Sequence, residues 1–161
     1  MDRCCGTSAA ASPPDGACPA SGARGRPVEL LTVKALLTEA ALARLEPLLH
    51  RFCPDADCPV VYFDAAGHRF TTADLRVPVW QKEPPGARLL CYCFGETEAE
   101  IRAEIERSGR SAAVERIRRH IDAGRCACEV RNPRGACCLG DVMAAVARLA
   151  KAVAEAPAEA R

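Results

Sequence analysis

The chain has 161 residues, 49% of them hydrophobic and only 4% aromatic, with 22 basic side chains against 21 acidic ones. That length suits one domain of ordinary size or two small ones. A net charge of +1 without a dense basic run excludes the electrostatic footprint of a nucleic-acid binder, and apolar runs of a few residues, as at 58–63, fall far short of the roughly 20 that a membrane span needs.

Residues 1–27 are rich in Ala, Gly, Pro and Ser, and residues 1–17 are expected to form a mobile tail unless Cys4 or Cys5 ties them down. The start of the chain lacks an apolar stretch of signal-peptide type, so the expected compartment is the reducing cytoplasm. From Leu30 to Leu49 apolar residues recur at helical spacing. Thr38 is placed to cap a helix running through Leu42, Leu45 and Leu49, with Pro47 forcing an early end. Three β-rich runs follow, at 60–63, 69–72 and 76–80, separated by turns, and they predict a small antiparallel sheet. Lys82-Glu83-Pro84-Pro85-Gly86 reads as a linker between a lobe at 18–83 and a second at 87–155.

Beyond the linker the sequence reads as helix. Thr97-x-x-Glu100 is a capping box, and Ile101 and Ile105 mark the buried stripe of the helix it opens. Gly109 ends that helix. Ser111 can cap the next, where Val114, Ile117 and Ile121 share a face before Gly124. The last helix carries Leu139, Val142, Met143, Val146, Leu149, Ala150 and Val153, and residues 156–161 are expected to fray. The Arg/Glu runs at 96–119 read as a solvated surface with pairs such as Glu115–Arg119. His50, His68 and His120 sit singly, with surface or capping roles expected. No phosphate-cradling Gly loop and no nucleophile–base order is present, so no catalytic residues and no enzymatic activity are expected.

The eleven cysteines are the main chemical fact. Cys91 and Cys93 form a C-x-C, Cys126 and Cys128 another, and Cys4-Cys5 and Cys137-Cys138 are adjacent pairs. Neighbours so close rarely bond to each other without strain, and in a reducing compartment such spacing points to metal or redox chemistry. The region 91–138 offers six thiols where a [2Fe-2S] cluster needs four. Its cysteines are expected at the N-termini of the first and last of its helices, where free N–H groups and the dipole favour thiolate, with Arg125, Arg131 and Arg134 flanking them. The alternative of buried small apolar residues is hard to reconcile with clustered C-x-C and C-C groups. In the first lobe, Cys53-x4-Cys58 leading into a strand resembles a zinc knuckle, whose two thiolates chelate tetrahedral Zn2+ and take the next pair from elsewhere.

Cys91-Tyr92-Cys93-Phe94, two helices, and then the run 124–140 with Asn132-Pro133-x-Gly135-x-Cys137-Cys138 resemble the amino-terminal domain of CopZ-type copper chaperones. That family holds its [2Fe-2S] cluster on a helical scaffold similar to the bacterioferritin-associated ferredoxin. The resemblance runs from about Cys18 to Val142. It implies an α+β fold, a small zinc-binding β-sheet lobe followed by a helical [2Fe-2S] lobe, with cluster ligands Cys91 and Cys93 and one cysteine from each later group, Cys128 being preferred to Cys126 and Cys138 to Cys137. It also implies that Cys18 joins Cys53 and Cys58 as a metal ligand, because the family's C-P-x-C matches Cys18-Pro19-Ala20-Ser21. Ser21 departs from that pattern. Cys4 or Cys5 can fold back to complete the site, since the intervening residues reach about 30 Å when extended. Otherwise a water fills the fourth position, or the metal is lost.

The implied function is an iron–sulfur and zinc-binding metallochaperone-like redox protein of copper homeostasis. Its expected partners are a copper-transporting ATPase or a separate copper-chaperone domain, and a redox partner protein. The family's copper-carrying domain with its M-x-C-x-x-C loop is not found in this chain. The alternative is a small [2Fe-2S] electron-transfer or cluster-carrier partner with no role in copper.

Overall fold

The computed structural model describes residues 16–156, so Cys4 and Cys5 lie outside the described residues. The described residues form a mixed α+β protein with two larger hydrophobic cores and a smaller cluster around Cys18, Cys53 and Cys58. The first half builds a four-stranded antiparallel sheet in sequence order, β1 (Arg26–Val28), β2 (His50–Phe52), β3 (Val60–Asp64) and β4 (Arg69–Thr71). Two short helices, α1 (Leu30–Leu36) and α2 (Glu39–Leu42), connect β1 to β2. The second half opens with a two-stranded hairpin, β5 (Leu89–Cys91) and β6 (Glu96–Thr97). Helices α3 (Glu98–Ser108), α4 (Ala113–Asp122), α5 (Cys128–Arg131) and α6 (Leu139–Glu155) follow. Among the described residues no helix is long and apolar enough to cross a membrane.

β3 is buried at all five positions because it has something to cover on each side. Val61 and Tyr62 join Val33, Leu37, Phe52 and Phe70 in the first core, whereas Val60 and Phe63 pack around Cys18, Cys53 and Cys58. A strict two-residue period cannot put adjacent Val61 and Tyr62 into one core. A register shift between Val60 and Tyr62 re-aims the chain there. Gly25 completes the arrangement, since a Cβ at that position would stand 2.4 Å from Phe63 Cζ. The absent side chain lets the Phe63 ring close over the cysteines.

The helical spacing of 30–49 resolves into two short helices, separated at Leu37 and Thr38. Leu37 pairs as an isolated bridge with Leu75, and the Thr38 N–H donates to Asp74 O at 2.8 Å. Thr38 is the predicted cap, accepting from the Ala41 N–H at 3.3 Å, but its helix ends at Leu42 and leaves Leu49 92% exposed. His50–Phe52 form a strand that no sequence pattern announces. The strand expected at 76–80 does not form. Pro78 has no N–H for a ladder, and the chain instead makes a 3-10 turn, Trp80–Lys82.

Helix boundaries in the second half follow their sequence signals. Thr97 and Glu100 form the capping box, Gly109 ends α3 in the left-handed conformation at φ 77°, and the Ser111 hydroxyl accepts from the Ala113 N–H. α3, α4 and α6 enclose a core of Leu90, Ile101, Ile105, Ile117, Val142 and Leu149. The charged runs around this core are more specific than a solvated face. Arg116 donates to both oxygens of buried Glu96 at 2.7 Å and to Glu104 at 2.6 Å, while buried Glu98 pairs with Arg148. No Glu115–Arg119 ion pair occurs among the described residues. His50 also departs from expectation, being buried beside Phe70 and Asp64 rather than on the surface.

The two halves are joined by more than the linker. Trp80 packs its side chain into the second core, and its backbone N–H donates to Tyr92 Oη at 3.1 Å. Helices α1 and α5 pack together, and Gly135 lies so close to Thr32 that a Cβ would fall 2.8 Å from Thr32 Oγ1.

Candidate metal centres

The first centre gathers Cys18, Cys53 and Cys58 from two turns. Cys18 opens a tight loop in which the Gly22 N–H returns to Cys18 O and the Cys18 N–H donates to Ala23 O, both at 2.8 Å. Cys53 leaves β2 with its N–H on Val61 O, and an Asp55 side-chain turn brings the chain round to Cys58. The three thiols lie within 4.8 Å of one another and are 1%, 0% and 5% exposed. Cys18 Sγ stands 3.9 Å from Cys58 Sγ, and Ser21 Oγ stands 3.5 Å from Cys53 Sγ. Zn–S bonds of about 2.3 Å in a tetrahedron give sulfur–sulfur edges of about 3.8 Å, so the thiols fit one such ion.

The surroundings of this centre act on its thiols in opposite directions. Burial opposes ionisation of Cys18, but backbone N–H groups of Ser21 and Ala20 and the Ser21 hydroxyl outweigh it and lower its pKa. Burial prevails at Cys53, whose pKa is raised despite the Ser21 hydroxyl, the Asp55 N–H and the charge of Lys82. Lys82 Nζ donates to Asp55 O at 2.7 Å and Cys58 O at 2.9 Å, pinning the Cys53–Cys58 loop from the segment read as a linker. No sequence pattern announces a lysine that binds carbonyls more than twenty positions away.

The second set of thiols sits against the helical core. Cys91 and Cys93 were expected at a helix N-terminus. They lie instead in the β5–β6 hairpin, because Glu96 and Thr97 pair back onto Leu89 and Cys91 before α3 begins. The hairpin turn provides N–H donors for Cys91, whose Sγ accepts from Phe94 and Cys93, while Ala127, just before α5, donates to Cys93 Sγ at 3.4 Å. Cys128 is the first residue of α5, and Cys138 is the N-cap of α6.

These four thiols form two couples. Cys93 and Cys128 are 3.7 Å apart, and Cys138 donates to the Cys91 sulfur. That bond from Cys138, helped by the backbone donors and opposed by burial, lowers the Cys91 pKa to about 7. The Cys138 pKa is raised by the same bond and by burial. Burial and the bond to Cys93 push Cys128 up to about 12. Among the described residues only Cys18, Cys53 and Cys58 come together as a group of three within 4.8 Å, so the four thiols do not close on one ion. Cys126 and Cys137 are exposed. Of the flanking arginines, Arg134 is tied to Asp141 in the first turn of α6, and Arg125 faces His120, whose ring stacks on Phe94 at 4.2 Å.

Comparison with known proteins bears on both halves. The family model zf_CopZ, a zinc binding domain, matches residues 15–76, the segment carrying Cys18, Cys53 and Cys58. No curated protein matches significantly. The X-ray structure of the Archaeoglobus fulgidus CopZ N-terminal domain is similar at 31% identity and a TM-score of 0.66, over 80% of this chain and 95% of that one. A likeness of that identity, spanning nearly the whole of the solved domain, makes this chain a member of the CopZ N-terminal domain family.

Proposed function

We propose that the chain is an iron–sulfur and zinc protein of copper handling, with Zn2+ on Cys18, Cys53 and Cys58 and a [2Fe-2S] cluster on Cys91, Cys93, Cys128 and Cys138. The observation that carries the reading is the coupling of Cys93 with Cys128 and of Cys91 with Cys138. Two adjacent thiol couples that do not merge into one tetrahedron suit a pair of irons, each taking two thiolates. When bound, the cluster supplies one-electron redox chemistry.

The surrounding residues prepare the thiols for that role. N–H donors from the hairpin lower the pKa of Cys91, and the Ala127 N–H, just before α5, donates to Cys93 Sγ. Burial of Cys91, Cys128 and Cys138 keeps water from the sulfurs, while exposed Cys126 and Cys137 remain free to meet a soft metal ion. In this reading the protein works in the cytoplasm as an electron donor and metallochaperone without enzymatic turnover. Its partner is a copper-transporting ATPase or a separate copper-carrying domain.

Purification without oxygen tests the proposal. The protein should be red-brown and contain about two irons, two sulfides and one zinc per chain. A chain that stays colourless after reconstitution with iron and sulfide overturns the cluster assignment. Reversible Cu(I) binding by the cluster-loaded protein separates copper handling from simple electron transfer.

A further inference from the structure

We propose that Ser21 closes the first metal site as an oxygen donor, and that the resulting three-thiolate, one-hydroxyl site yields its zinc to Cu(I). The inference rests on the zinc assignment above and deepens it by naming the fourth donor and the ion that competes.

The geometry of the corner is the starting point. Ser21 Oγ is 3.5 Å from Cys53 Sγ and also hydrogen-bonds Cys18. With Zn–S of about 2.3 Å and Zn–O of about 2.0–2.2 Å, tetrahedral edges come to about 3.8 Å for sulfur–sulfur and about 3.6 Å for sulfur–oxygen. The observed 3.9 Å for Cys18–Cys58 and 3.5 Å for Ser21–Cys53 match both edges. The loop holds the hydroxyl there, because Gly22 returns to Cys18 O and the Ala23 N–H donates to Ser21 Oγ at 3.3 Å. Ser21 therefore occupies the place a fourth cysteine would take.

That corner differs from the other three in charge and in access. A serine hydroxyl keeps its proton at neutral pH, so zinc with three thiolates and this donor carries one negative charge instead of two. The three sulfurs are buried, whereas Ser21 and its neighbours Pro19, Ala20 and Gly22 are exposed. An incoming ion reaches the centre through the weakest ligand. Cu(I) is soft and is satisfied by three thiolates in a plane, so losing the hydroxyl costs it little, while zinc loses a quarter of its shell. In the exchange one Cu(I) enters and one Zn2+ leaves. The thiolates stay deprotonated and nothing is oxidised or reduced. The ammonium of Lys82, bonded to Asp55 O and Cys58 O, offsets the added negative charge of the Cu(I) form.

The test uses the full chain, so that Cys4 and Cys5 are free to compete. Zinc-edge X-ray absorption should show three sulfurs and one oxygen, with four sulfurs in Ser21→Cys. Anaerobic titration with the Cu(I)–acetonitrile complex, followed by a chromophoric zinc chelator, should release zinc from the native chain and at least roughly tenfold less readily from Ser21→Cys. Ser21→Ala should bind zinc more weakly than the native chain. Four sulfurs around zinc in the native chain overturn the inference, as does a zinc that Cu(I) does not displace. Equal zinc affinity in Ser21→Ala and native protein means that water fills the corner, which also overturns it. A chain that binds no zinc even as Ser21→Cys fails the underlying zinc assignment instead.

Discussion

The hydroxyl of Tyr62 donates a hydrogen bond to the carbonyl oxygen of Pro133 at 2.8 Å, across 71 positions of the chain. Tyr62 lies in the middle of β3, and Pro133 lies in the turn that leads from Cys128 to Cys138. Burial raises the pKa of the phenol, which keeps it a donor. The sheet beside the first three thiols thus anchors the loop between Cys128 and Cys138, and the close approach of Gly135 to Thr32 of α1 adds a second contact to that loop.

Replacing Tyr62 with Phe removes that bond and leaves the Pro133 carbonyl buried without a donor. The expected cost is about 1–3 kcal/mol, a loss of several degrees in melting temperature. Because the anchored loop carries Cys128 and Cys138, the visible spectrum of the cluster should also shift in Tyr62→Phe. Thermal unfolding followed in the ultraviolet and visible would check both; an unchanged melting temperature contradicts a structural role for the bond.

The assignment of the second centre makes a selective prediction among neighbouring cysteines. Cys128→Ser and Cys138→Ser should bleach or strongly alter the spectrum of the cluster-loaded protein. Cys126→Ser and Cys137→Ser should leave it nearly intact, because those side chains are exposed and outside the two couples. Iron and sulfide analysis of the four variants decides the matter.

Lys82→Met should weaken zinc binding by about 10–100-fold while leaving the three thiols in place. The lysine holds two carbonyls of the Cys53–Cys58 loop and supplies a positive charge beside Cys53. Competition with a zinc-binding dye measures the change, and Lys82→Arg should recover part of it.

The Arg116 cluster sets part of the acid sensitivity. Burial opposes ionisation of Glu104, but hydrogen bonds from Ser111, Arg116 and Ala112 hold its pKa below the ordinary value. A depressed carboxylate stabilises the fold above its unfolded pKa, and that contribution is lost as pH falls through the folded one. Asp74, held down by Thr71 and Arg44 against its burial, acts in the same direction, while Asp141, raised by burial, opposes them. Stability should therefore decline below about pH 4.5. Arg116→Met should cost about 2–3 kcal/mol at pH 7, because buried Glu96 loses its bidentate partner, and the acid dependence should become shallower. Urea midpoints at several pH values test the sign and the size.

Much of this arrangement was written locally. The capping box at Thr97 and Glu100, the left-handed Gly109, the apolar stripe of α6 and the β-branched run of β3 depend on residues within a few positions of one another. Nearest-neighbour sterics and periodicity suffice to read them. The strand at 50–52 was not legible, because three residues carry no period and their partners, Arg26–Val28 and Asp64–Tyr62, stand far away in the chain. Trp80 was misplaced for a related reason: Pro78 removes a ladder donor, and the indole is claimed by the core of the other half.

The cysteines divide along the same line. Spacing alone made Cys53 and Cys58 a knuckle and made the second half a thiol cluster, since chelation by neighbours is a local property. Which thiols meet was decided by tertiary structure. The Cys91–Cys138 couple depends on α6 docking its N-terminus against the β5–β6 hairpin, and Ser21 reaches Cys53 only because β1 and β2 pair. A donor's residue type is fixed by the sequence, but bringing two donors to within 4 Å across thirty or more positions needs packed elements to offset the entropy of closing the loop.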